Sequence, residues 1–229
     1  MENFDRNVAG IGVLADSVRR HLYRFVCSQA EPVSRDQAAE AVGIARHQAK
    51  FHLDRLEAEG LLETDYVRLT GRTGPGAGRP AKRYRRGRKE FTVALPAREY
   101  ELAGEILAEA ITNATRTGIP ISEAVSEAAS AHGTAMAEAA TDRPSSAGAP
   151  VDLVLKILSE HGYEPRGDGR TFILANCPFH ALARSHTELV CQINHTVITS
   201  LTQSIAPGLL DARLEAGENR CCVTLTVKD

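Results

Sequence analysis

Residues 44–63 read IARHQAKFHLDRLEAEGLLE. Ala45, Ala49, His52, Leu53 and Leu56 recur at helical spacing and fall on one face. Arg46, His47 and Lys50 project from the opposite side, with Gln48 on the flank. The pattern predicts a helix over 44–59 with a core stripe and a cationic outer surface, stopped by Gly60. Toward the N-terminus, Gly43 is a turn residue, and Ser34 followed by Gln37 is a capping box that opens a helix running to Val42. Pro32-Val33-Ser34 separates this helix from an earlier one over 16–27, whose Val18, Leu22, Phe25 and Val26 form an apolar stripe away from Arg19, Arg20 and Arg24. Two helices joined by a short glycine-containing turn, after a supporting helix, make a helix-turn-helix.

The sequence after Gly60 extends that reading. Residues 61–70 alternate like a strand, 71–81 (GRTGPGAGRPA) form a hairpin tip, and 82–86 (KRYRR) return as the partner strand. This is a wing. A phosphate cradle would need GK[ST] and a helix after the glycines, and neither follows.

Charge points the same way. The 229 residues carry a net charge of −2, yet residues 66–89 hold nine basic side chains and no acid, against 18 basic and 29 acidic elsewhere. A basic island on an acidic chain is the signature of a local polyanion site. The N-terminal end of a recognition helix meets base edges in the major groove. There Arg46 suits guanine, Gln48 suits adenine and Lys50 suits a phosphate. Phe51 points outward, to a thymine methyl group or under the wing, whereas His52 reads as a satisfied core histidine. Arg79 and Lys82 suit phosphate or a narrow minor groove. The candidate DNA-contacting set is Ser34, Arg46, His47, Gln48, Lys50, Arg79, Lys82 and Arg83.

Residues 44–63, followed by GRPAKRY at 78–84, resemble the winged-helix domain of ArsR/DeoR-type bacterial regulators over roughly residues 15–87. The resemblance implies a homodimer on double-stranded operator DNA. The cysteine motif of the metal-sensing ArsR members is absent, and Cys27 reads as a small buried hydrophobe.

Composition bounds the remainder. The chain is 43% hydrophobic and 24% charged, which excludes collagenous, disordered and membrane-embedded classes. The acidic start MENFDRNVAG is no signal peptide, so the expectation is a cytoplasmic protein without membrane association. Its five cysteines then suggest thiols, metal ligands or redox chemistry, and the sequons at Asn113 and Asn194 carry no meaning. No GxSxG, HExxH or Walker motif is present, so no enzyme is expected.

Residues 96–115 and 122–140 read as Ala/Glu-rich helices split by TGIP, a candidate dimer interface or an intrachain packing. Residues 141–150 read as a linker or exposed loop. A helix over 151–161, a strand over 170–176, a helix from Pro178, a break near His186, a helix to Ser204 and a final strand over 220–227 complete an α+β half. The expected architecture is α+β: a winged helix-turn-helix over 1–90, a central helical dimerisation segment over 91–145 and a C-terminal α+β sensor domain over 146–229.

Cys177, Cys191, Cys221 and Cys222 all fall in that last segment, interspersed with His180, His186 and His195. On one straight helix Cys177 and Cys191 would stand roughly 21 Å apart at ~1.5 Å per residue, so a shared site needs the break at His186. On a strand Cys221 and Cys222 face opposite sides, and normally one serves a given site. NCPFHALARSHTELVC at 176–191, with GENRCCVTL at 217–225, resembles the sensor domain of SufR-like iron–sulfur regulators over roughly 150–227. The resemblance implies an iron–sulfur cluster on Cys177, Cys191 and Cys221 or Cys222, with His180, His195 or an exogenous group as a possible fourth ligand. Zinc remains open, because Cys177-x2-His180 and Cys191-x3-His195 have zinc-like spacing. So do a thiol switch at Cys221 and Cys222, and buried thiols in an effector-binding domain.

Overall fold

In the computed structural model, residues 2–67, 80–142, 149–215, 217 and 220–228 are described, and the chain divides into two units, Met1–Val93 and Ala94–Asp229. The first begins with α1 (Glu2–Val13), a helix for which the sequence reading had no counterpart. It continues with α2 (Ser17–Ser28), β1 (Val33–Ser34), α3 (Arg35–Val42), α4 (Arg46–Ala58), β2 (Leu62–Val67) and β3 (Ala81–Arg86). Asp16 caps α2 by accepting from the Arg19 N–H. Ser34 and Gln37 form the expected reciprocal box at α3. Gly43, at φ +71°, makes the left-handed turn into α4 at no steric cost.

Helices α2, α3 and α4 pack around Leu22, Val26, Ala38, Ala49, Leu53 and Leu56, with Leu62 and Tyr84 closing the core from the sheet. The sheet order is β1-β3-β2, all antiparallel, with Asp65 opposite Arg83 and Ser34 also opposite Arg83 from the other side. The two-residue β1 is too short for an alternation signal and was not anticipated. This is a winged helix-turn-helix. The hairpin tip and Arg79 lie outside the described residues. Two core expectations change: Ala45 is exposed because it is the residue before α4 and not inside it, and His52 is only half-buried.

The second unit comprises α5 (Tyr100–Thr117), α6 (Ile121–Thr141), α7 (Pro150–Glu160), β4 (Pro165–Gly167), β5 (Thr171–Leu174), α8 (His180–Ser185), α9 (Thr187–Ile205), β6 (Leu210–Leu214) and β7 (Val223–Val227). An antiparallel sheet of order β4-β5-β7-β6 packs with α7 and α9 around Val154, Leu158, Tyr163, Leu174, Phe179, Leu201 and Leu225. Helices α5 and α6 share a second core with α9, through Ile106, Ala110, Ala129, Ile193 and Val197. The 91–145 helices thus stand inside this unit as its wall. α6 meets α9 at Gly133, where a Cβ would lie 2.3 Å from the Val197 carbonyl oxygen. The whole is α+β. Among the described residues no helix is long and apolar enough to cross a membrane.

Candidate nucleic-acid interface and cysteine cluster

Helix α4 exposes Arg46, His47, Gln48, Lys50 and Phe51 on one side while Ala49, Leu53 and Leu56 are buried on the other. The cationic face that the 3.6-residue period predicts is therefore open to solvent. Arg46 Nε lies 2.7 Å from Asp36 on α3, in a pair exposed on both sides. Gln48 Oε1 accepts the Ala45 N–H at 3.2 Å, so a bidentate adenine contact requires that cap to open. Phe51 is 66% exposed and packs edge-on against His52, with ring centroids 5.2 Å apart. The His52 Nδ1 is buried without a hydrogen-bond partner among the described residues, so it is not the satisfied core histidine expected.

The wing strand differs from expectation. Lys82 is drawn inward, pairing with Asp54 at 3.1 Å and with Glu57, both on α4. Burial alone would lower its pKa, but hydrogen bonds to Glu57 and Asp54 hold it well above the usual lysine range. Tyr84, fully buried beneath, donates its hydroxyl to Asp54 Oδ1 at 2.9 Å. Asp54 in turn stays below the ordinary carboxylate range: burial opposes its charge, and the hydrogen bonds from Lys82 and Tyr84 outweigh it. Arg83 grips Asp65 across the β2–β3 ladder at 2.9 and 2.8 Å. Ser34 is the cap of α3, its oxygen accepting the Gln37 N–H at 3.3 Å. So Lys82 and Arg83 act first as struts that fix the wing to α4 and to its own hairpin. Asp54, Glu57, Asp65 and Tyr84 are the partners that the sequence reading missed.

Cys27 is half-buried, where the sequence suggested a small buried hydrophobe.

In the second unit the backbone breaks at His186, between α8 and α9, where the sequence requires it. Cys177 occupies the turn before α8, Cys191 lies on α9, and Cys221 and Cys222 precede β7. The strand begins at Val223, so Cys221 and Cys222 stand just before it, Cys221 buried and Cys222 half-buried. Cys177 and Cys221, Cys221 and Cys222, and Cys222 and Cys191 lie near enough to shift one another's titration. Contact with Cys221, and burial, push the Cys177 thiol far above its ordinary value. Cys177 lowers Cys221, but Cys222 and burial together push it up to about 11. The backbone pins the group: Cys221 N–H donates to Leu174 O at 2.8 Å, and Glu215 N–H to Cys222 O at 2.7 Å.

Asn194, one turn beyond Cys191 and 1% exposed, donates from Nδ2 to Cys221 Sγ at 3.0 Å. Its Oδ1 accepts the Tyr163 hydroxyl at 2.6 Å. The sequence reading dismissed Asn194 as an idle sequon, although its i,i+3 spacing from Cys191 places both on one helix face. The histidines stand elsewhere. His180 is exposed at the start of α8, and the His195 ring is hydrogen-bonded to Ala212 O at 3.0 Å. Among the described residues no three or more His, Cys, Asp or Glu side chains are grouped so as to hold a single metal ion as they stand.

Residues 14–65 match the family model of a helix-turn-helix domain, covering α2, β1, α3, α4 and the start of β2. No curated protein matches the chain.

Proposed function

We propose that the chain is a cytoplasmic, homodimeric winged helix-turn-helix regulator, a repressor, whose hold on operator DNA is set by an iron–sulfur cluster on Cys177, Cys191, Cys221 and Cys222. Its DNA-binding half rests on the helix-turn-helix match together with the solvent-facing Arg46, His47, Gln48 and Lys50 of α4. The sensing half rests on one observation: four cysteines from three separate stretches of chain lie near enough to influence one another electrostatically, and the buried Asn194 amide donates to Cys221 Sγ. That donor set is all sulfur, which suits iron–sulfur ligation better than a site needing His180 or His195. When bound, the cluster supplies a redox- and oxygen-sensitive charge at these sulfurs.

The chain's own residues then do two things. Cys177 and Cys191 tie the turn before α8 to α9, and Cys221 with Cys222 tie both to the sheet. Release of those ties loosens the break at His186, which gives the second unit two arrangements. Exposed Ile111 on α5 and Ile121 on α6 support packing against a second copy. A dimer would present two α4 helices to major grooves about 34 Å apart.

A second reading has an observation of its own. A groove of about 590 Å³ between α6 and α9, floored by Val125 and Ile193 and rimmed by Ser122, Gln192 and Thr196, has the size and lining of a small-molecule site. In that reading an effector replaces the cluster as signal.

One joint experiment tests the proposal. Arg46→Ala and Lys50→Ala are expected to lose DNA affinity in fluorescence anisotropy with the oligomer intact by light scattering. Cys177→Ser and Cys191→Ser are expected to lose bound iron and sulfide. Unchanged DNA affinity at physiological salt removes α4 as the reader, and full iron content in a serine variant removes that residue from the ligand set.

A further inference from the structure

The wing does not use up the basic island at 66–89. Lys82 and Arg83 are struts, and Arg85 lies 3.3 Å from Glu63. Arg86, Arg88 and Lys89 are left. All three line one open cavity of about 870 Å³ in the first unit, with Glu90 as the one acid in its wall. Arg88 is 3.9 Å from Glu63, while neither Arg86 nor Lys89 has a carboxylate partner among the described residues. The apolar lining comes from Ile11 on α1, Leu14 just after it, Leu61 and Phe91. Lys89 Nζ stands 4.4 Å from the centre of the Phe91 ring, so a cation is set directly against that lining. Phe91 rests in turn on α1, where a Cβ at Gly10 would collide with its ring. Asn7 Nδ2 donates to Thr92 O at 2.9 Å and fixes the same wall.

The cavity stands apart from the DNA-reading end of α4. Leu61 follows that helix, and its carbonyl accepts the Gly87 N–H at 2.9 Å, which sets this wall beside the helix C-terminus. Arg46 opens α4 at its other end, roughly 18 Å away along a helix rising ~1.5 Å per residue. A duplex met by the N-terminal end of α4 leaves these cations without a phosphate. Cations lacking carboxylates, beside an apolar and partly aromatic lining, complement a molecule that carries a negative charge and an apolar body.

We infer that this cavity binds an organic carboxylate with a bulky apolar body, its charge held by Arg86 and Lys89 and its body by Ile11, Leu14 and Phe91. The guanidinium fork of Arg86 matches a carboxylate, and Lys89 supplies a point charge. Loading ties residues 87–92 to α1 through the ligand and so stabilises the first unit. The site is independent of the cysteines and of the cluster reading.

The test titrates 2-naphthoate into the full-length protein by isothermal titration calorimetry. Beside it run 2-naphthalenemethanol, which keeps the body without the charge, and acetate, which keeps the charge without the body. Naphthoate is expected to bind roughly tenfold more tightly than either. Arg86→Gln and Lys89→Gln are each expected to weaken naphthoate roughly tenfold, with the circular dichroism of the parent retained. Ile11→Glu, at a residue 41% exposed, sets a carboxylate in the cavity without touching the core and is expected to abolish binding. A parent that binds no naphthoate, or binds it no better than the alcohol, overturns the inference. So does a naphthoate affinity unchanged across the Arg86, Lys89 and Ile11 variants. A reduced salt slope of DNA affinity in Arg86→Gln and Lys89→Gln, without naphthoate binding to the parent, assigns these cations to phosphate and overturns it as well. Charge-dependent naphthoate binding in a preparation holding no iron or sulfide upholds it, whatever becomes of the cluster.

Discussion

Lys82 shows how far a single residue can be read from sequence. Its position in GRPAKRY and its charge suggested a phosphate contact. Its partners, however, are Asp54 and Glu57, 28 and 25 residues earlier in the chain, and no local pattern reveals that they face it. Removing Lys82 leaves two half-buried carboxylates without their cation. Lys82→Met is therefore expected to lower the urea midpoint of the first unit while leaving the salt dependence of DNA affinity unchanged. Lys50→Ala should do the converse, keeping stability and reducing the salt slope by about 1. A Lys82 variant that loses salt slope at parental stability would restore it as a phosphate contact. Arg46, Gln48 and Lys50 were legible because outward positions on a helix follow directly from its period. The tie of Arg46 to Asp36 was not, since it depends on the angle between α3 and α4, while the bond from the Ala45 N–H to Gln48 is local to the start of α4 and was passed over. At the cysteines, the sequence named all four sulfurs but could not name Asn194 as their neighbour.

Elements were legible where a period or a cap repeats over several residues. The stripe of α4, the Ser34–Gln37 box of α3, the αL glycine at 43 and the break at His186 each rest on local chemistry, and each is present. Elements that exist by pairing were not: β1 has two residues and β4 three, and neither can show alternation. The final strand expected over 220–227 is shorter for a related reason, since β7 starts at Val223. The crossing of α6 and α9 is a further feature of tertiary origin. Its contact at Gly133 leaves no room for a methyl group, with Val197 O at 2.3 Å and Ser200 Cβ at 2.9 Å from the added Cβ. Gly133→Ala is expected to destabilise the second unit by roughly 1–3 kcal/mol, read from its denaturant midpoint. Parental stability in that variant would show that the two helices part readily.

At the scale of the molecule, two units divide the work: one presents a cationic helix face and a wing, and the other gathers four thiols. Folding favours the protonated forms of Cys177, Cys191 and Cys221. Cys221 rises from 9.0 to about 11 on folding, so between these values the folded chain keeps a proton that the unfolded chain releases. Its contribution to stability is complete below pH 9 and is lost as pH rises through about 11. The urea midpoint of the apo-protein's second unit is expected to be flat to pH 9 and to fall above it. A rise over that range would mean that the thiol is not held protonated. Under the proposed cluster reading ligation would need thiolates, so uptake is expected to release protons and to weaken as pH falls. The most direct test is anisotropy on DNA selected from a random-sequence pool. Anaerobic protein with matching iron and sulfide is compared with the same preparation after cluster removal, and Cys191→Ser serves as control. The account predicts at least a tenfold difference in affinity between the loaded and stripped protein, absent in Cys191→Ser. Equal affinities in both forms, or a parent that takes up no iron and sulfide on reconstitution, would contradict it.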